Sequence, residues 1–300
     1  MQRKTIASLA LLSAAVIWGS SFLLVRNTVD SMPVHYLLVF RFTLATALLS
    51  FVMRKKLPGI NREIVKHGVI LGVMLYGTYV LQALGVSSIA LGEQATTAGR
   101  SAFLACVYCV LTPFVFWFIS KKKPDRYSVI AAFLCILGIG ILVLSADGTG
   151  ILTGDLLVLA SSFCSALHIV YLGKFLKHSD AMRLTIIQFV TVAVISLAIA
   201  LAFEPFPVEA TRGAWASAIY LGIFCTAVAL ALQNFGQKHA HPNSSALLLS
   251  LEGPFGVLFA ATFGGADERL TFRSVVGFAI ILCAIVTSET KLKFRASVFR

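Results

Sequence analysis

Two ionisable side chains, Arg41 and Glu252, lie inside long apolar stretches of this 300-residue chain and are the first candidates for chemistry. A charge at the centre of a membrane helix costs roughly 2.5–3.5 kcal/mol on insertion scales, so such residues face a bundle interior or a water-filled cavity. Glu252 shares a helical face with Ser245 and Gly256. A carboxyl there either changes protonation as a cavity opens to alternate sides, coupling protons to substrate movement, or stays hydrogen-bonded and fixes its helix. Arg41 is near enough to the end of its stretch to snorkel outward, and its plain reading is a structural anchor. Arg100 opens another apolar stretch, where it attracts an anionic group or sits at a wet rim.

Neutral polar residues form a second set. Ser161, Ser165 and His168 follow one another at i, i+4 and i+7 and share a face; Ser13 and Ser20 do the same on the first apolar stretch. They are walls of a cavity, or small residues that let helices approach closely. His168 is a proton-relay group or a neutral, hydrogen-bonded core histidine. Trp18 lies too deep for an interfacial belt and, with Phe22 one turn on, is placed to form an aromatic wall. Pro113 and Pro254 each remove a backbone donor and expose a carbonyl one turn earlier, which predicts a helix kink beside the pathway. Gln82 and Gln233 stand near helix ends, where capping or packing is the plain reading. All six cysteines fall within apolar runs, so no disulfide framework is expected, and the lone C-x-x-C at Cys106–Cys109 has no second pair to complete a metal site.

The elements that must position these residues are membrane helices. The chain is 58% hydrophobic and 13% charged, with a mean hydropathy of +0.88, whereas soluble domains are nearer 45–50% apolar and 25% charged. Ten apolar spans are expected at 6–25, 34–52, 68–84, 101–119, 127–144, 156–172, 184–203, 215–233, 245–263 and 275–287. Backbone groups in lipid must pair within the segment, so the spans are helices; the short alternating segments of a membrane β-barrel are absent. The first span is longer than the apolar region of a signal peptide and is expected to be retained as a helix. With both termini inside, 19 of the 25 lysines and arginines fall in inner segments and only Arg26, Arg212, Arg269 and Arg273 in outer loops. The positive-inside rule therefore predicts cytoplasmic termini in a multi-pass protein of the cytoplasmic membrane. It also explains the net charge of +12 without a nucleic-acid partner.

The two halves resemble each other. Ser20-Ser21-Phe22 recurs as Ser161-Ser162-Phe163, Arg41-Phe42-Thr43-Leu44 as Arg183-Leu184-Thr185-Ile186, and Pro113-Phe114 as Pro254-Phe255, at offsets of 141, 142 and 141 residues. Five helices per unit is an odd number, so the second unit enters the membrane upside down. This predicts two five-helix units, 1–148 and 149–300, inverted relative to each other. Transporters built this way place the substrate near mid-membrane at the repeat interface.

An ordered set of motifs carries a family resemblance: Trp18-Gly19-Ser20-Ser21-Phe22, Arg41-Phe42, Leu81-Gln82-Ala83-Leu84-Gly85, Thr97-Ala98-Gly99-Arg100-Ser101, Tyr108, Pro113, Gln233-Asn234-Phe235-Gly236-Gln237, and Leu251-Glu252-Gly253-Pro254. It resembles the EamA-type branch of the drug/metabolite transporter superfamily over nearly the whole chain. The resemblance implies ten helices in two inverted five-helix repeats around a central cavity. It also implies export or import of amino acids, other metabolites or toxic organic compounds. In this sequence Gly253 is inserted where the family commonly has Glu directly before Pro, and Lys121-Lys122-Lys123-Pro124 replaces the acidic turn of the first repeat. The implied substrate pathway takes in Trp18, Ser20, Ser21, Gln82, Arg100, Tyr108, Ser161, Ser165, His168, Gln233 and Glu252.

The expectation is a secondary transporter, exporting small metabolites by alternating access, and not an enzyme. No Walker motif is present to bind nucleotide. No cofactor or metal is expected; the partners are a small-molecule substrate, the lipid bilayer and, as one option for coupling, protons. The rival reading is a membrane-embedded enzyme acting on lipid-linked substrates. Such enzymes gather acidic or histidine residues in interfacial loops to hold a metal, whereas the loop acids here are scattered.

Overall fold

A computed structural model describes residues 2–54, 59–121, 123–144, 151–176, 179–239, 248–265, 268 and 270–290. No strand occurs among the described residues. The principal helices are α1 (Gln2–Val29), α2 (Val34–Val52), α3 (Arg62–Val86), α4 (Ala98–Cys106), α5 (Tyr108–Ser120), α6 (Arg126–Leu144), α7 (Thr153–Phe175), α8 (Ala181–Phe203), α9 (Arg212–Tyr220), α10 (Ala229–His239), α11 (Glu252–Phe263) and α12 (Phe272–Thr290). Among the described residues, seven helical stretches are long and apolar enough to cross a membrane, with α4–α5 forming one and α9–α10 another; α6 and α12 are shorter apolar helices. Large apolar side chains point away from the bundle along its flanks, among them Phe118 (77% exposed), Phe203 (82%) and Phe272 (84%). Water would penalise such a surface; hydrocarbon does not.

Three of the expected spans change. The fourth is broken at Val107, between α4 and α5, rather than simply kinked at Pro113. In the eighth, a π-helix, Leu221–Val228, joins α9 to α10. In the ninth, α11 begins at Glu252, and residues 245–247, with Ser245, lie outside the described residues. So do the expected boundary at 148/149 and residues 291–300.

Helix pairing follows a regular scheme. α1 packs on α10 and α11, while α7 packs on α3 and on α4–α5. α2 lies against α8, α4 against α11, and α6 against α12. One apolar core gathers α2, α3, α8 and the π-helix around Phe42, Leu37 and Phe189. A second gathers α4–α6 and α12 around Phe103, Cys135 and Ile281. Small residues bring backbones together where α3 meets α7: a Cβ on Gly154 would collide with the Gly85 carbonyl and the Thr96 amide.

Candidate functional site

α1 contributes Trp18, Ser21 and Phe22 to a central cavity of about 220 Å³. Trp18 Nε1 donates to the Cys225 carbonyl at 2.8 Å, which fixes the indole across the bundle. Ser20, expected on the cavity wall, is not among its lining residues. Its hydroxyl lies 3.2 Å from the Tyr220 hydroxyl and donates to the Ile17 carbonyl at 2.7 Å. Adjacent residues of a helix with 3.6 residues per turn point about 100° apart, so Ser20 faces α9 when Ser21 faces the cavity.

α7 presents Ser161, Ser165 and His168 to the same cavity, as their spacing predicts. Ser165 Oγ donates to the Ser161 carbonyl at 3.1 Å and lies 3.3 Å from Thr78 Oγ1. His168 Nε2 lies 2.6 Å from Gln188 Oε1. Gln82, Tyr108 and Gln233 also line the cavity.

Arg41 does not snorkel outward. It is 3% exposed and lines the cavity from α2. Its Nε donates to Thr226 Oγ1 at 2.9 Å, and its guanidinium lies 4.5 Å from the centre of the Tyr79 ring, a cation–π arrangement. The π-helix makes this possible: Thr226 donates to the carbonyl of Leu221, five residues back, at 2.8 Å and turns its hydroxyl oxygen toward α2. Single π turns inside helices are frequent at functional sites. Gly222 completes the fit, because a Cβ there would stand 3.0 Å from the Arg41 carbonyl.

Glu252 lines the cavity at the first turn of α11 and is 9% exposed. Cys106 Sγ lies 3.6 Å from its Oε1. The inserted Gly253 matters here: a Cβ would sit 3.0 Å from Cys106 Sγ, so glycine lets α11 close onto α4. Among the described residues, no basic side chain pairs with Glu252 and no carboxylate pairs with Arg41.

The prolines border the helix breaks. Pro113 leaves the Cys109 carbonyl without its intrahelical donor, and Ser288 Oγ supplies one at 3.2 Å. Pro113 lines a separate cavity of about 650 Å³ between α5 and α7, which reaches Ser120 and Lys174. Pro254 sits in the first turn of α11, where a missing amide is harmless, just after the break at 250–251.

A further cavity of about 220 Å³ shares Trp18, Tyr79, His168 and Gln233 with the central one and continues between α7 and α8 to Leu172 and Thr185. These last two spaces extend toward the end of the bundle where α7 finishes and α8 begins. The opposite end is tied together. Arg100 is not on the cavity wall; it pairs with Asp155, joining the starts of α4 and α7, and Thr96 Oγ1 donates to the same carboxylate at 2.5 Å. Arg26, at the end of α1, pairs with Glu268, whose oxygens also accept the Ala98 and Gly99 amides at 2.6 and 3.0 Å. His35 Nδ1 lies 2.7 Å from Glu204, joining the start of α2 to the end of α8.

Sequence reasoning missed Tyr79, Thr226 and the partners of Arg100 and Arg26. Tyr79 sits three residues before Gln82 and so on its face, a usable signal. Thr226 had none, because its role depends on a π turn that no residue pattern announced.

These features define a multi-pass α-helical membrane protein with a central cavity. The profile of the EamA-like transporter family matches residues 5–144 and again residues 152–289. The chain belongs to that family. An uncharacterized transporter of Archaeoglobus fulgidus is 27% identical over 284 residues, covering 95% of this chain and 86% of that one. The uncharacterized transporter YetK of Bacillus subtilis is 24% identical, covering 96% and 88%. A solved crystal structure shares the fold with a TM-score of 0.65 at 18% identity, covering 94% of this chain and 96% of the other.

Proposed function

We propose that the protein is a secondary transporter that exports small metabolites, amino acids among them, across the cytoplasmic membrane by alternating access. The observation that carries this reading is the central cavity, whose walls come from both family-matched segments: Trp18, Gln82 and Tyr108 from the first, His168, Gln233 and Glu252 from the second. These residues, with Ser21, Ser161 and Ser165, form the substrate pathway. Two inverted five-helix repeats, 1–148 and 149–300, account for the packing. The contacts of α1 with α10 and α11 are the counterpart of those of α7 with α3 and α4–α5, and the α2–α8, α4–α11 and α6–α12 pairs each map onto themselves.

The basic residues assign the end of α7 to the cytoplasm. The two cavities beside the end of α7 extend toward that side, while the Arg100–Asp155 and Arg26–Glu268 ion pairs and the His35–Glu204 hydrogen bond tie the other, which supports an inward-facing reading. In the alternate state these pairs separate into water, which returns part of the desolvation cost of burying them. The test is efflux of labelled metabolites from loaded cells expressing the chain, with and without a pH gradient. Faster efflux than from control cells supports the reading; identical efflux of every metabolite refutes it.

A further inference from the structure

We propose that Arg41 and Glu252 are a split charge pair that selects a zwitterionic substrate: Arg41 receives the ligand's anionic group and Glu252 its cationic group. The inference rests on the transporter reading and deepens it by naming the substrate class and the two residues that read it.

Both side chains line one cavity, together with Tyr79, whose ring lies 4.5 Å from the Arg41 guanidinium. They do not pair with each other, since no nitrogen of Arg41 comes within 4.0 Å of a Glu252 oxygen. Each is held where it stands. Thr226 takes the Nε of Arg41 and Tyr79 supports its plane, so the terminal nitrogens are left without an acceptor among the described residues. Cys106 and the first turn of α11 fix Glu252. Neither side chain has an opposite charge beside it among the described residues, an arrangement that is costly for charged groups in a desolvated site.

A ligand decides whether that cost is relieved. A simple anion satisfies Arg41 and leaves Glu252 facing added negative charge; a simple cation does the reverse. A zwitterion satisfies both without changing the charge of the cavity. Trp18, Phe22, Tyr79 and Tyr108 line the same cavity with aromatic surface, which suits an apolar ligand body. The volume of about 220 Å³ is below the roughly 300–1,000 Å³ of sites for drug-sized ligands and suits a small metabolite. Fixed, complementary groups gain affinity because little ordering remains to be done on binding.

The test uses the purified full chain in lipid nanodiscs and two matched probe sets: L-phenylalanine, phenethylamine and 3-phenylpropanoate; L-leucine, isopentylamine and 4-methylpentanoate. Binding is measured by titration calorimetry. The wild type is expected to bind one of the amino acids at least about tenfold more tightly than either of its single-charge analogues. Truncating one partner of a buried charge pair weakens binding roughly 30-fold or more. Arg41→Gln should therefore lose the amino acid to that extent and shift preference toward the amine, and Glu252→Gln should shift it toward the carboxylate. Arg41→Lys, which keeps the charge, should retain the preference for the zwitterion. If Arg41→Gln is not recovered folded, Glu252→Gln and Arg41→Lys carry the comparison. Equal binding of zwitterion and single-charge analogues, unchanged preference in folded variants, or no saturable binding of any probe overturns the proposal. Efflux measured in parallel separates the two readings: transport without zwitterion preference overturns this inference alone, and no transport of any solute overturns the transporter reading.

Discussion

Arg100 and Asp155 form a buried ion pair that joins the first turn of α4 to the first turn of α7. Removing one partner of such a pair leaves an uncompensated buried charge and costs about 3–5 kcal/mol, more than removing both. Arg100→Ala is expected to lower the melting temperature of the purified protein further than Arg100→Ala combined with Asp155→Ala. The same single variant should open the outer end, so that a cysteine placed at Ser161 reacts faster with a membrane-impermeant thiol reagent added outside cells. Unchanged melting and labelling would show that the pair neither stabilises nor closes that end.

Thr226 positions Arg41 through one hydrogen bond to a charged group, a class of interaction worth about 1.5–3 kcal/mol. Thr226→Val should weaken substrate binding roughly tenfold or more, and Thr226→Ser should restore most of it. A valine variant with wild-type affinity would mean that the Tyr79 face alone holds the guanidinium.

Neighbouring serines on α1 should behave differently. In a background lacking the native cysteines, Ser21→Cys is expected to react with small polar thiol reagents and to be protected by substrate. Ser20→Cys, turned toward Tyr220, should remain inert. Equal labelling of both positions would contradict the cavity as described.

The contrast between Ser20 and Ser21 shows what the sequence could and could not tell. Helical spacing correctly grouped Ser161, Ser165 and His168, because periodicity fixes relative direction on one helix. It could not fix the absolute rotation of α1, which depends on Trp18 reaching the Cys225 carbonyl on a helix far away in the chain. Apolar runs revealed the seven long apolar helices found among the described residues, since hydrocarbon imposes length and composition. The break at Val107 and the π-helix at Leu221–Val228 were invisible, because they arise from packing and side-chain bonding rather than from composition. Arg100 was misplaced for a similar reason: its partner Asp155 comes from the other half of the chain and reads as an isolated loop acid.

Topology is open to a direct check. The basic residues predict that a reporter fused after Arg300 is active in its cytoplasmic form only. Activity in its external form would reverse the assignment of the cavity's open side.

The most direct test of the account is counterflow in proteoliposomes. Vesicles preloaded with an unlabelled apolar amino acid are diluted into a trace of the same labelled compound, with wild type and with Arg41→Gln. The wild type should accumulate label transiently above equilibrium, and the variant should not, although it reconstitutes to the same level. Absence of label accumulation by the wild type across the apolar amino acids, or equal accumulation by the variant, would contradict a transporter that holds its substrate between Arg41 and Glu252.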